Sequence, residues 1–343
     1  AVVFEEYGAP DVLRVEEVSV PSPGPGQILV RVATTSLNLT DWEGLAGRPA
    51  YARIGGWRSP ARPVLGSDIA GRVAEVGTGV TRFQVGDDVY GDNLDLKGGF
   101  AEFAIAPESV LAHKPDGLTF AEASTIPQAG AIAMQAVGAT GPGQQLLING
   151  GGGGTGMFAI QLAKRAGAHV TAVDNAGKLE FMKSLGADEV IDYRSEDFES
   201  RVHQITRGRG VELAIDAVGG RSFKKSFRSL APTGRLGIFG MSVVVTGKKR
   251  SIPGLLKAML TTPWLRFTPS ALMGSNKGVF GVNLGQLWEE LDRVKVWMEA
   301  LLVDYRQGAI RPVVAASFPF ERASEAHHYI QDRKNLGKVL LIP

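Results

Sequence analysis

A chain of 343 residues, 44% hydrophobic and 21% charged, has the balance of a soluble globular protein and the length for two domains. The net charge of +2 is too small to imply a nucleic-acid partner, and the absence of cysteine excludes disulfides, thiolate metal sites and a cysteine nucleophile. No apolar run approaches the roughly 18–20 residues of a membrane span, and the opening AVVFEEYGAP is not a signal peptide, so a cytoplasmic location is the default expectation.

Residues 1–118 read as mostly β. Short β-branched segments such as Ile28–Val32 and Ile69–Val76 are separated by turn signals at Pro21–Gly26 and Gly86–Gly91. From Leu146 the pattern changes. Strand Leu146–Asn149 is followed by a helix over Met157–Ala166 that stops at Gly167, strand His169–Val173, a helix over Ala176–Leu185, and strand Val190–Ile191. After another helix, Glu212–Ile215 and Arg235–Phe239 read as strands, and Val279–Val282 fits as the last of the series. Strands alternating with helices predict a parallel sheet with right-handed crossovers. Met241–Lys277 interrupts the alternation with a basic Lys248-Lys249-Arg250 and an apolar stretch, Ile252–Met273, and reads as an insertion near the mouth of the site. The end carries a helix near Gln286–Arg306, a Pro-bounded turn at Phe318–Phe320, and a closing strand, Lys338–Ile342, expected to return to the first domain.

The strongest local signal is Leu146–Gly156, LLINGGGGGTG. Gly151, Gly153 and Gly156 fit G-x-G-x-x-G between a strand and a helix, and Asp174 ends the next strand. On this reading Gly151 makes the tight turn, Gly153 lets the backbone reach a pyrophosphate, and Gly156 allows helix and strand to pack closely. The N–H groups of Gly154, Thr155 and Gly156 then open a helix toward phosphate.

The chain resembles the zinc-free quinone oxidoreductase branch of the medium-chain dehydrogenase/reductase family. The stretches that carry the likeness are Ser36–Asp41 (SLNLTD), Pro63–Gly77 (PVLGSDIAGRVAEVG), Val85–Val89 (VGDDV), the glycine loop, Ser184–Tyr193 (SLGADEVIDY) and Gly337–Pro343 (GKVLLIP). Gly278–Leu287 (GVFGVNLGQL) and the preceding insertion are similar to the vesicle amine transport protein-like subgroup. The resemblance implies an α/β architecture: a Rossmann doubly wound parallel sheet, residues 120–285, plus a GroES-like mostly-β catalytic domain, residues 1–119 completed by 286–343. The nicotinamide cleft would lie between them, in a chain that forms a homodimer.

Zinc-dependent relatives hold their metal with Cys, then His or Glu, then Cys. Asn38 stands here for the first Cys and Ser67-Asp68 for His-Glu, which implies a site without zinc. The five histidines, His113, His169, His203, His327 and His328, fall in none of these segments and read as surface or structural. Without a Lewis acid to polarise a carbonyl, hydride addition to a conjugated C=C or a quinone is the expected chemistry.

The likeness places Asn38 and Asp41 beside the nicotinamide. Asn38 is the expected side-chain donor to the substrate oxygen, with backbone N–H groups near Gly281 and Val282 helping; turn capping is the alternative for both Asn38 and Asp41. Tyr51 is a candidate proton donor, although it lies two places later than the family's tyrosine. Lys178 and Tyr193 match contacts to the 2′-phosphate of NADPH, whereas an Asp174 carboxylate would bind the ribose hydroxyls of NADH, so the two signals conflict. Val218, Gly219, Phe239, Gly240, Phe280, Gly281 and Val282 complete the implied cofactor surround. Ile132 replaces a family threonine, and Gln128 in the same segment is a substitute. Arg48, Arg53, Arg58 and Arg62, around Tyr51 and Trp57, together with the 248–250 cluster, form a candidate entrance for an anionic substrate such as an acyl-CoA. The reading is an NAD(P)H-dependent reductase of enones, enoyl thioesters or quinones. Its alternative is a lipid- or membrane-binding protein on the same fold, using Leu255–Leu272.

Overall fold

The computed structural model describes residues 1–48, 50–53, 56, 59–240, 267–287 and 290–343, with the side chains of Ala50 and Tyr51 left aside. The chain opens with a small antiparallel pair, β1 (Val2–Val3) and β2 (Arg14–Val15). A sheet then begins with β3 (Gln27–Ser36), β4 (Asp68–Val76), β5 (Asp88–Asp92), β6 (Phe103–Pro107) and β7 (Leu111–His113). The alternation of β3, with Ile28, Val30 and Val32 turned inward, packs it onto Val73, Val89 and Ala104.

The middle of the chain builds a second sheet. Its strands are β8 (Gln145–Asn149), β9 (His169–Asp174), β10 (Glu189–Asp192), β11 (Val211–Asp216), β12 (Leu230–Ile238) and β13 (Gly278–Gly281). All pair in parallel, in the order β10-β9-β8-β11-β12-β13. This is a doubly wound Rossmann sheet, and its strands are near-continuous apolar runs because helices cover both faces. The helix Gly154–Arg165 buries Met157, Phe158, Ile160 and Leu162 on this sheet. Each fully buried side chain of that size stabilises by about 1.5–3 kcal/mol. The winding reverses between β8 and β11, so their carboxyl ends, Asn149 and Asp216, flank the crevice where such sheets bind ligands.

The last segment returns to the first sheet. β14 (Val314–Pro319) runs parallel to β15 (Lys338–Ile342), and β15 pairs antiparallel with β3 through Leu340↔Ser36 and Leu341↔Thr35. Among the described residues the first sheet thus has seven strands, drawn from both ends of the chain, and is the GroES-like unit. The Pro-bounded turn expected at Phe318–Phe320 is the end of strand β14, because Pro319 sits at the strand's last position, where it costs little. The helix expected from Gln286 begins at Leu291, after a 3-10 turn at Leu284–Gln286.

Candidate active site

A cleft of about 880 Å³ lies between the two sheets. On the Rossmann side its wall is the glycine loop. The left-handed residue is Gly150, at φ +91°, so the tight turn belongs to Gly150 and not to Gly151. The N–H groups of Gly150 and Gly151 both donate to Val173 O, at 2.9 and 3.1 Å. Gly151 instead faces the interior, where a Cβ would stand 2.7 Å from Met182 Sδ, and it does not line the cleft. Gly153 caps the helix Gly154–Arg165. At Gly156 a Cβ would fall 2.3 Å from Gly150 O and 2.6 Å from Gly151 Cα, so helix and loop meet with no room for a side chain. Gly153, Gly154, Thr155 and Gly156 all face the cleft.

Across the crevice, Asp216 orders the facing loop. Its Oδ1 accepts from the N–H groups of Val218 (2.8 Å) and Gly219 (3.2 Å), while Oδ2 accepts from Ser222, Ser226 and Asn149. That holds Ala217 and Val218 in the cleft wall, with Gly219 behind them. Phe239, Gly240, Gly281 and Val282 continue the wall. Phe280 does not: its ring packs on Gly237, where a Cβ would meet it at 2.8 Å. The N–H of Val282 donates to Ile238 O at 3.0 Å, so it is not the free donor expected there.

At the far end Asp174 and Lys178 are both buried, with Lys178 Nζ 3.8 Å from Asp174 Oδ2. Asp174 Oδ2 also accepts from Gly152 N–H at 3.1 Å, and Oδ1 from Asn175 N–H at 2.9 Å. The carboxylate is therefore occupied by the loop it braces. Burial holds the Lys178 amine below its ordinary range, with Asp174 opposing that shift and Arg333 adding to it. Tyr193 lies at the rim outside the cleft lining. Its hydroxyl accepts from Arg333 at 3.4 Å, and the Arg333 guanidinium stands 5.7 Å from its ring centroid.

The floor comes from the GroES-like sheet. Asp68 and Lys338 are almost fully enclosed. Lys338 Nζ donates to Asn38 Oδ1 (2.6 Å), Leu37 O (3.0 Å) and Asp68 Oδ2 (3.3 Å). Asp68 Oδ2 also accepts from Asn38 Nδ2 and Ser36 Oγ, each at 2.9 Å, and Oδ1 from Gln128 N–H at 3.0 Å. Asn38 lines the cleft, but its amide is spent on both sides, so the substrate donor expected at Asn38 is instead a strut between Lys338 and Asp68. Asp41 does not reach the reacting region either. It is fully buried, and its carboxylate accepts from the N–H groups of Asn38 (2.9 Å) and Gly66 (3.0 Å), capping the helix Leu39–Ala46.

Beside this floor, Thr40 Oγ1 donates to Gln128 Oε1 at 3.3 Å. Among the described residues, Gln128 Nε2 makes only long bonds of 3.4 Å, to Ser67 Oγ and Asp92 Oδ2. Burial, reinforced by the Asp68 charge, pushes the Asp92 carboxyl up to about 8. Ile132 and Leu284 give the cleft apolar walls near Gln128. Of the entrance arginines, Arg62 lines the cleft, whereas Arg53 donates to Gly47 O at 2.9 Å and stacks 5.1 Å from the Tyr7 ring centroid. The Tyr51 side chain, Trp57, Arg58, the 248–250 cluster and most of Leu255–Leu272 lie outside the described residues.

The residues that sequence reasoning missed are Lys338, Asn335, Arg333 and Asp216. Asn335 Oδ1 accepts from Lys178 Nζ at 3.4 Å, and its amide donates to Gly337 O at 2.8 Å. Only Lys338 had a signal, the GKVLLIP stretch, in which a lysine opens a strand.

Residues 24–116 match the alcohol dehydrogenase GroES-like domain family, and residues 154–298 the zinc-binding dehydrogenase family. The chain is 33% identical to the rat synaptic vesicle membrane protein VAT-1 homolog, covering all of this chain and 83% of that protein. It is 34% identical to the chloroplast envelope quinone oxidoreductase homolog of Arabidopsis thaliana, covering 100% and 98% of the two chains. The structure of Escherichia coli quinone oxidoreductase complexed with NADPH superposes with a TM-score of 0.85 at 25% identity, over 100% of this chain and 99% of that one.

Proposed function

We propose, from the premise that this chain belongs to the medium-chain dehydrogenase/reductase family and to its quinone oxidoreductase branch, that it reduces a conjugated C=C or a quinone without a metal. The observation that carries the reading is Lys338, its ammonium seated between Asn38 Oδ1 and Asp68 Oδ2 at the floor of a glycine-walled cleft. Where zinc-dependent relatives would hold a dication, this chain holds a cation of its own. A second cation beside Lys338 would meet repulsion in a low-dielectric site and find its oxygen donors taken.

The glycine wall fits a dinucleotide: the cradle is closed to any Cβ at Gly156, and the helix Gly154–Arg165 points its first N–H groups into the cleft. We read the cofactor as NADPH. Asp174 is committed to Gly152 and Asn175, and Lys178, Arg333 and Tyr193 form a basic, hydroxyl-bearing edge suited to a 2′-phosphate. A bound reduced nicotinamide supplies a hydride. The chain's residues do the rest. Ile132, Phe239 and Leu284 keep water from the reacting atoms. The loosely held Gln128 amide, steadied by the Thr40 hydroxyl at its Oε1, offers a hydrogen bond to a substrate oxygen as it gains negative charge. Lys338, fixed beneath, adds a positive field there at no cost of reorganisation. Arg62 at the mouth suits an anionic substrate such as an acyl-CoA.

The test uses NADPH and NADH, each deuterated at C4, with an enone acceptor. The expected product carries deuterium on the β-carbon with its carbonyl intact, and NADPH binds the more tightly. An allylic alcohol with deuterium on the former carbonyl carbon, or turnover that requires stoichiometric zinc, would refute the reading. The same edge of the sheet that ends in β13, which among the described residues pairs with β12 alone, is the surface we assign to a homodimer.

A further inference from the structure

A second, smaller cavity lies behind the cleft, between β5, the β6–β7 segment and the helix Leu291–Arg306. Its volume is about 130 Å³. Engineered apolar cavities of about 150 Å³ hold a benzene ring, so this one has room for a single ring. The helix supplies Leu291, Val294, Met298 and Leu302, spaced so that they form one stripe, and Val110 and Leu111 face them.

Arg82, Ser109, Lys295 and Glu299 also edge the cavity, and two buried polar atoms lie along its β5 side. Tyr90 Oη and Asp92 Oδ1 have no hydrogen-bond partner among the described residues. Tyr90 is fully enclosed. The two residues are two apart on β5, hence on the same face of the strand, and both line the cavity. Buried polar groups are almost always satisfied, so two orphans around one apolar cavity call for a ligand that brings its own hydroxyl. The cavity is also wired to the cleft. Asp92 Oδ2 accepts from Gln128 Nε2, which faces the reacting region, and Leu284 lines both cavities.

We propose that this cavity is a ligand site for a one-ring phenol-class compound, separate from the cofactor cleft, whose ring fills the stripe and whose hydroxyl meets Tyr90 Oη and Asp92 Oδ1. A phenol supplies one donor and one acceptor. Asp92, whose Oδ2 accepts from Gln128 Nε2, carries its proton on Oδ1 and can donate to it, and Tyr90 Oη can accept from it.

The test titrates the full-length protein with phenol, and with benzene as a control, followed by ligand-observed NMR and calorimetry with and without NADPH. Phenol should bind saturably at one site and should not be displaced by NADPH. Tyr90→Phe deletes only the hydroxyl. It should weaken phenol roughly fivefold, the usual worth of one hydrogen bond, and leave benzene unchanged. Met298→Trp fills the cavity and should abolish binding of both ligands while the thermal transition stays cooperative. Saturable binding to the protein alone does not depend on any nicotinamide, so its outcome is separable from the proposed reaction. Displacement by NADPH, equal phenol affinity in wild type and Tyr90→Phe, or no saturable binding, as in a cavity that holds only water, each overturns the assignment.

Discussion

Lys338 is buried because its charge is answered on every side, by Asp68, by Asn38 and by the carbonyl of Leu37. Removing one partner of a buried pair leaves the other uncompensated, at a cost of about 3–5 kcal/mol. Lys338→Met should therefore lower the unfolding free energy from a denaturant titration by that order, and Asp68→Asn added to it should recover part of the loss. If the single substitution is neutral, the pair does not hold the floor together. His327 offers the pH-dependent counterpart. It is enclosed beside Phe100, and burial pushes its pKa down to about 3, with the neighbouring His328 charge adding to the shift. Its folded pKa lies below its unfolded value, so the unfolded chain takes up a proton first. The stability tied to its neutral form is whole above pH 6.5 and falls as pH drops toward 3. The steepest slope is about 1.4 kcal/mol per pH unit. His327→Gln should flatten that part of the stability–pH curve, and an unchanged slope would show that His327 is protonated in the folded protein. None of this was legible residue by residue. Asn38 and Asp68 stood out only as departures from metal ligands, and nothing local to Lys338 says that it reaches a residue 300 positions away.

The elements were easier to read than the contacts. The glycine loop announced itself because strand, glycines and helix are contiguous, and their physics is local. Its internal frame was harder, because five consecutive glycines, Gly150–Gly154, allow several alignments of one pattern, and only backbone geometry picks Gly150 for the left-handed turn. Strand β14 was hidden by Pro319 and by a half-exposed pattern that alternates weakly. The loop yields a graded prediction. A Cβ at Gly156 would strike backbone, at 2.3 Å from Gly150 O, whereas one at Gly154 would strike a side chain, the methylene stem of Lys338, at 2.5 Å from Cδ. Backbone cannot step aside as a side chain can. Gly156→Ala should weaken NADPH binding on the order of tenfold or more, and Gly154→Ala distinctly less, measured by quenching of cofactor fluorescence. Equal losses at the two positions would mean that the loop is not read by its backbone.

At the scale of the molecule, the architecture was legible because alternation of strands and helices is a long-range rhythm, and the return of the last strand was anticipated from the closing KVLLI segment. A dimer across β13 should sediment at twice the 36.5 kDa of the chain, and a monomer at micromolar concentration would remove that edge from consideration. The return of β15 to β3 also has a bearing on time. Contacts between residues so far apart in sequence form late, because the intervening chain must surrender its freedom before the pairing repays it. Lys338, which opens that late strand, and Gly337 just before it complete the cleft. During synthesis the glycine loop leaves the ribosome well before its floor does, so a nascent or prematurely stopped chain carries half a pocket. Competence to bind a dinucleotide is in this sense a signal that translation has passed beyond β15.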